Sequence, residues 1–133
     1  MLTHKYHAQP QKTEDGLFAS KAELKRWREL CLMQQAGDIR DLVRQPAFPL
    51  WTLNLAGHRV PVMIGNRAAK YIADFSYHER EGRYVVEDVK GVDTPMSKLK
   101  RATVKASLGI DVTLITKRKP SERTRPARQT ARP

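Results

Sequence analysis

The sequence predicts an α/β domain in which a mixed β-sheet is flanked by helices, with its elements in the order α-β-β-β-α-β. Two segments carry helix start signals followed by helically spaced apolar residues. Between them, two short apolar segments read as neighbouring strands. The chain of 133 residues suffices for one modest core. We therefore expect a flexible N-terminus (1–12), one domain (13–115) and a disordered basic tail (116–133).

The first helix is predicted from its cap. Ser20 and Glu23 have the spacing of a capping box, and Asp15-Gly16 before them indicates a tight turn. Gly37 is suited to the position just after the last turn. The residues at helical spacing between these signals are Leu24, Trp27, Leu30, Cys31 and Gln34.

Four strand-forming regions and one further turn segment, residues 64–69, follow. Residues 42–48 are interrupted by proline, which favours an edge position. Residues 51–62 are expected to turn at Ala56-Gly57, and residues 64–69 at Gly65-Asn66. The clearest strands are residues 71–78 and 83–90, which we expect to form an antiparallel hairpin.

The second helix starts at Thr94 as N-cap, with Pro95 in the first turn, and extends to about Leu108. Residues 110–115 are expected to form the closing strand. The expected core side of this helix is Met96, Leu99, Ala102, Thr103 and Ala106, and the opposing stripe of cations is Lys98, Arg101 and Lys105.

Two carboxylates and an ammonium fall on the central hairpin. Strand side chains alternate and advance about 3.3 Å per residue, so Asp88 and Lys90 share one face about 7 Å apart, whereas Glu87 points to the other. Asp88 is thus the expected metal ligand, with Asp74 on the preceding strand. A tripeptide such as Asp88-Val89-Lys90 also arises by chance on strands whose charged side chains are simply solvated. Here, however, apolar neighbours on both faces indicate a central strand, where uncompensated acids are costly.

The charge of the chain points to an acidic partner. The net charge is +11 and the pI is about 10.2, which favours nucleic acid first and an anionic membrane second. We expect no membrane association, because no stretch approaches 18 apolar residues. A single cysteine, Cys31, and an N-terminus without an apolar run predict a reducing cytoplasm.

The basic tail is the second candidate for nucleic-acid binding, beside the stripe on the second helix. It contains three prolines and no large apolar residue, and it carries seven cations against one acid. We expect the tail to bind phosphates without reading the base sequence. Two alternatives stay open: the tail serves only to keep the protein in solution, and the stripe on the second helix is an ordinary solvated face. The expected contacts in the tail are Lys117, Arg118, Lys119, Arg123, Arg125 and Arg128.

Four ordered motifs carry a resemblance to a known family. They are residues 12–23 (KTEDGLFASKAE), residues 37–42 (GDIRDL) with Gln45-Pro46, residues 71–75 (YIADF) and residues 86–91 (VEDVKG). Together with the element order they resemble the PD-(D/E)xK nuclease superfamily. Within it, the chain resembles a small phage-type family of uncharacterised nucleases akin to the Holliday-junction endonuclease I group.

The resemblance implies a restriction-endonuclease-like core and a role for each motif residue. Asp74, Asp88 and the carbonyl of Val89 would coordinate Mg²⁺ or Mn²⁺. Lys90 would orient or help deprotonate the attacking water, or neutralise the scissile phosphate. Glu23 would reach the metal from the first helix, unless it serves only as a cap. Many members have Glu at the position of Asp88, and Asp is an allowed variant.

The function expected from these observations is a Mg²⁺-dependent DNA endonuclease. The resemblance adds selectivity for Holliday junctions or other branched DNA, in phage recombination or replication inside a bacterial host cell. Cutting two strands of a junction needs two sites, hence a homodimer. Two alternatives stay open: a non-catalytic nucleic-acid-binding module, and a phage accessory protein that binds a host protein. DNA and RNA are not distinguished by these patterns.

Overall fold

The computed structural model describes residues 10–13 and 16–116. Within these ranges the chain forms two helices and twelve short strands. In chain order they are β1 (Gln11–Thr13), β2 (Gly16–Phe18), α1 (Lys21–Gln35), β3 (Ile39–Arg44), β4 (Ala47–Pro49), β5 (Trp51–Leu53), β6 (Arg59–Pro61), β7 (Met63–Ile64), β8 (Arg67–Ala68), β9 (Lys70–Ile72), β10 (Phe75–Glu79), β11 (Tyr84–Lys90), α2 (Pro95–Leu108) and β12 (Thr113–Thr116).

A mixed four-stranded sheet forms the centre, in the order β12-β11-β10-β3. β10 and β11 are antiparallel, as the predicted hairpin requires, and β12 runs parallel to β11. Successive residues of β11 face opposite sides: Val85 joins the cluster of Leu30 from α1, and Val86 joins that of Val104 from α2. The predicted mixed sheet flanked by helices is therefore confirmed. Residues 42–44 of the predicted edge strand lie in β3, at the edge of this sheet, whereas residues 47–48 belong to β4 in another sheet.

The segment between β3 and β10 forms three strand pairs that branch from one junction. We call residues 47–72 the hairpin arm; it contains the pairs β4–β9, β5–β6 and β7–β8. At the junction the main chain of Leu50 donates to Ala69, Val62 donates to Leu50, and Ala69 donates to Val62, at 3.1, 2.9 and 2.7 Å. α2 packs on β5 and β9, so the arm lies on the α2 side of the sheet.

The predicted single strand over residues 71–78 is wrong. The chain leaves the central sheet at Ala73-Asp74, so that β9 and β10 belong to different sheets. Their partner strand bends at the same level: Ala73 donates to the carbonyl of Pro46 at 3.0 Å, and Gln45, with φ of 57°, donates to that of Asp74 at 2.8 Å. Proline has no N–H for a continuous ladder, which explains a bend at this place.

The bounds of α2 follow its predicted caps, but its predicted core side is wrong. Met96 and Leu99 are 56% and 61% exposed, and Ala102 and Ala106 are exposed too. The helix buries Val104 instead, with the half-buried side chains Ser97, Arg101 and Leu108 on the same face. On that face Ser97 approaches Lys90 and Arg101 binds Asp93. Polar contacts therefore decide which side of the helix faces the sheet, and the spacing of its apolar residues does not.

Most remaining predictions of elements agree with the structure. Ser20 caps α1, Gly37 follows it with φ of 83°, and the turns at Ala56-Gly57 and Gly65-Asn66 separate paired strands. The closing strand starts at Thr113, later than expected. Strand pairing extends to Gln11 and Thr116, slightly beyond the expected domain limits. The predictions for residues 1–9 and for the tail from Lys117 onward lie outside the described residues. No helix in the described ranges is long and apolar enough to cross a membrane.

Candidate active site

The two predicted aspartates meet where the pairing of β10 with β11 ends. That pairing runs only to Phe75 and Glu87, so the last three residues of β11 extend past β10. The carboxylate of Asp74 occupies the vacated edge, where its Oδ2 accepts from the main-chain N–H of Val89 at 2.7 Å. The side chain of Asp74 thus takes the place of the missing strand partner of Val89, and this position brings Asp74 close to Asp88.

Asp88 is buried and held by two donors on one oxygen. Lys90 Nζ lies 3.1 Å from Asp88 Oδ2, and the hydroxyl of Tyr71 donates to the same atom. Lys90 Nζ also lies 3.4 Å from Ser97 Oγ on α2. The predicted common face of Asp88 and Lys90 is therefore confirmed.

The carboxyl group of Asp74 is in an unfavourable place for a charge. Burial raises its pKa most, followed by a hydrogen bond with Asp88 and the negative charges of Glu23 and Asp88. The N–H of Val89 opposes these effects only in part. Without a further cation, the folded protein therefore favours a proton on Asp74.

Glu87 provides a contrast on the same strand. It is just as buried, but the guanidinium of Arg26 donates to its two oxygens at 2.8 and 2.6 Å, and the hydroxyl of Tyr77 donates to Oε2. The pKa of Arg26 is raised, chiefly by this hydrogen bond. Glu87 is thus neutralised within the fold on the α1 side, as a structural acid should be.

Glu23 reaches the site from the N-terminus of α1. Its main-chain N–H donates to Ser20 Oγ at 3.1 Å, which is the expected capping bond. Its side chain is only 6% exposed, and its charge contributes to the raised pKa of Asp74. The structure therefore places Glu23 at the cap and near the aspartates at once.

The predicted cation stripe on α2 is divided by the structure. Arg101 turns inward and donates to both oxygens of Asp93, at 2.9 and 2.6 Å, so it is not part of an exposed stripe. Lys98 is exposed, and so is Lys105, whose Nζ lies 3.7 Å from Asp111 Oδ2. The predicted contacts of the tail (Lys117, Arg118, Lys119, Arg123, Arg125 and Arg128) lie outside the described residues.

The donor set fits a small, hard cation. The N–H and C=O of a strand residue point to the same edge, so the Val89 carbonyl lies on the Asp74 side of β11. In the described part of the chain, no three His, Cys, Asp or Glu side chains are arranged to hold a metal by themselves. Two carboxylates and one carbonyl are nevertheless what Mg²⁺ needs, because it keeps several of its waters.

Sequence reasoning missed two side chains of this site. Tyr71 was read as part of a continuous strand, in which it would face away from Asp74; only the break at Ala73-Asp74 brings it to Asp88. Ser97 stands three residues after the N-cap Thr94, so its N–H donates to Thr94 Oγ1 at 3.1 Å while its hydroxyl approaches Lys90. Its spacing from Thr94 is that of a cap contact, and nothing in the sequence pattern points to the site.

Comparison with known proteins gives one match. The model of the family described as "Protein of unknown function (DUF1064)" matches residues 3–119. No curated protein and no solved structure matches the chain.

Proposed function

The chain belongs to the DUF1064 family, and we propose that it is a metal-dependent endodeoxyribonuclease with a PD-(D/E)xK, restriction-endonuclease-like core. One observation carries this proposal. On a single strand, Glu87 is neutralised by an internal arginine, whereas Asp88 pairs with one lysine and lies beside Asp74, whose pKa is raised by burial and by the charges of Glu23 and Asp88. A buried site with more carboxylates than cations favours an external cation, and such perturbed acids concentrate at functional sites.

Each residue has a role in phosphodiester hydrolysis that its position permits. Asp74, Asp88 and the Val89 carbonyl would hold Mg²⁺ or Mn²⁺. The ion would supply positive charge to the scissile phosphate and make water a better nucleophile. Lys90 would orient the attacking water, help to deprotonate it, or neutralise charge on the phosphate. Tyr71 would keep the Asp88 carboxylate in one orientation through its hydrogen bond.

The substrate that we propose is DNA, in branched form. The net charge of +11 supports a polyanionic partner. One small domain has little surface for reading bases, so recognition by backbone charge and DNA shape is the simplest scheme. Selectivity for a Holliday junction rests on the resemblance alone, as does a homodimer that supplies two sites. The reducing cytoplasm of a bacterial host remains our proposed compartment, with the single Cys31 as its support.

Cleavage assays test the proposal directly. Labelled four-way junction, flap, duplex and single strand would be incubated with wild type, Asp74→Ala and Asp88→Asn, in Mg²⁺, Mn²⁺ or EDTA. We expect metal-dependent cutting by wild type only, with DNA affinity in EDTA unchanged or higher in the variants, because a repulsive charge is gone. Glu81→Gln, an exposed acid in the turn after β10, is the matched control.

Two results would overturn the assignment. Equal cutting by wild type and Asp88→Asn would identify a contaminant or a different site. DNA binding without cutting in any metal would favour the non-catalytic binding module. A second readout is independent of activity: Mn²⁺ should raise the melting temperature of wild type and leave that of Asp88→Asn unchanged.

A further inference from the structure

The tip of the β5–β6 hairpin presents a leucine to solvent on a well-defined turn. Asn54 Oδ1 accepts from the main-chain N–H groups of Ala56 and His58, both at 3.0 Å, and Gly57 adopts φ of 81°. Asn54 and His58 also share a main-chain hydrogen bond at 2.9 Å. Leu55, at the centre of this turn, has a relative exposure of 110%. The turn therefore displays an apolar side chain that the fold itself does not use.

The hairpin arm carries further exposed apolar side chains and cations. Leu53, Met63 and Ile64 are each more than half exposed. The hairpin arm contains Arg59, Arg67, Lys70 and His58, whereas none of the 14 acids of the chain falls in it. The guanidinium of Arg59 lies 4.7 Å from the ring centre of Trp51, a contact that orients it along the hairpin.

An open groove of about 840 Å³ runs between this hairpin and α2. Trp51, Leu53 and Arg59 form one wall, and small side chains of α2 form the other, among them Ala102, Thr103 and Ala106. Small residues and hydroxyl groups beside an arginine leave room for a phosphate backbone. The exposed Ala102 and Ala106 thus belong to a concave surface.

The base of the arm is part of the candidate active site. Tyr71 of β9 donates to Asp88, and Phe48 is its partner across the β4–β9 pair. Leu55 follows Phe48 by seven residues, so extended chain places it at most about 23 Å from that level. A nucleic acid with a phosphate at the aspartates is within reach of the tip.

We propose that the hairpin arm binds DNA, with Leu55 inserted between bases where stacking is interrupted and with Arg59 and Arg67 on the flanking phosphates. Leucine is one of the side chains that proteins use as wedges between base steps, and a branch point is already partly unstacked. A second copy of the chain fits less well, because it would bring like charges together. This inference rests on the DNA binding of the proposed function, but not on cleavage.

Fluorescence tests the insertion with wild-type protein in EDTA, which prevents cutting. A four-way junction with 2-aminopurine at its centre reports unstacking, and a duplex with the same base is the reference. We expect the fluorescence of the junction to rise with wild type, and Leu55→Ser to abolish most of the rise and weaken junction binding roughly 5-fold or more. Leu32→Ser is the matched control, since Leu32 is 66% exposed on α1, which packs on the opposite face of the sheet.

The phosphate contacts have their own readout. The double variant Arg59→Gln/Arg67→Gln should lower the slope of log K against log salt by roughly 1.8 on duplex DNA. Circular dichroism melting checks folding, which Leu55→Ser should not change because the side chain of Leu55 is fully exposed.

Each outcome decides the inference. If Leu55→Ser leaves the fluorescence and the junction affinity unchanged, the inference is overturned. If the variant changes only the oligomeric state of the protein, the tip instead contacts a second copy of the chain. If the fluorescence signal depends on Leu55 but the protein cuts DNA in no metal, the DNA-binding role of the hairpin arm is supported and the nuclease activity is overturned. If wild type and Leu55→Ser cut DNA equally and Leu55 gives no fluorescence signal, the nuclease is supported and the DNA-binding role of the hairpin arm is overturned. A wild-type protein that binds no DNA would overturn both proposals.

Discussion

The main-chain N–H of Val89 donates to Asp74 Oδ2 at 2.7 Å. This bond replaces the strand pairing that β10 no longer provides to the end of β11, and it joins the two acidic positions of the site. It leaves Asp74 half-buried beside Asp88 with a main-chain donor, whereas Lys90, the lysine of the site, pairs with Asp88.

Asp74→Asn should stabilise the metal-free protein, and increasingly so as pH rises. The pKa of Asp74 is raised from 3.8 to about 9, because of burial first and then because of Asp88 and Glu23. The folded state therefore holds this proton more tightly than the unfolded state, and the resulting stability is complete below about pH 4 and lost on the way to about pH 9. The amide keeps the acceptor for Val89 and needs no proton.

Thermal melts in EDTA from pH 5 to pH 9 measure this effect. We expect the melting temperature of Asp74→Asn to exceed that of wild type by about 4 °C or more at the upper end, which corresponds to about 1 kcal/mol. The difference should shrink toward pH 5. A difference that is constant or grows toward acid would mean that Asp74 is not the group that holds the proton.

Lys90→Ala should lower the cleavage rate roughly 10²-fold or more, if the ammonium acts on the attacking water or on the phosphate. Single-turnover kinetics at saturating DNA separate this loss from weaker binding. Lys98→Ala, which removes an exposed lysine of α2, is the control and should leave the single-turnover rate unchanged. A loss confined to affinity would reduce Lys90 to a binding contact.

Glu23→Gln separates catalysis from capping. Glutamine is also suited to this position of a capping box, and the main-chain bond to Ser20 is kept, so the melting temperature should stay the same. Because the charge of Glu23 acts on Asp74, we expect the cleavage rate to fall about 10-fold or more. Glu29→Gln on the same helix serves as the comparison. A rate within about twofold of wild type would leave Glu23 as a cap only.

Tyr71→Phe and Tyr77→Phe form a matched pair on the two faces of β11. Each removes one hydroxyl that donates to a buried acid, Asp88 in the first case and Glu87 in the second. Both should cost about 1.5–3 kcal/mol of stability. Only Tyr71→Phe should weaken Mn²⁺ binding, by about 10-fold or more, as measured by titration calorimetry. Equal effects of both variants on Mn²⁺ binding would refute a positioning role for Tyr71.

Truncation after Thr116 tests the tail. It keeps β12 whole and removes seven cations. If half of them contact phosphates, the slope of log K against log salt on duplex DNA should fall by roughly 3, with similar losses for all sequences. The melting temperature should stay the same, since a tail without large apolar residues contributes little to a core. With an unchanged salt slope, the exposed lysines of α2 and the hairpin arm become the surfaces to examine.

Local rules were sufficient for the parts of this fold that depend on neighbours in sequence. The caps at Ser20 and Thr94 mark the starts of both helices, because a side chain that satisfies free N–H groups must stand at one particular place. Strand alternation put Asp88 and Lys90 on one face and Glu87 on the other, because successive side chains of any strand point to opposite sides.

The contacts that complete the site were decided by tertiary structure alone. Nothing local indicates that the chain leaves the sheet at Asp74, that Arg26 rather than a metal neutralises Glu87, or that Arg101 turns inward to Asp93. Each is a contact between distant segments, and its free energy depends on burial and on which charges meet there. The sequence by itself thus determined where the acids stand along the strands, and only the packing of those strands decided which acid lacks an internal cation.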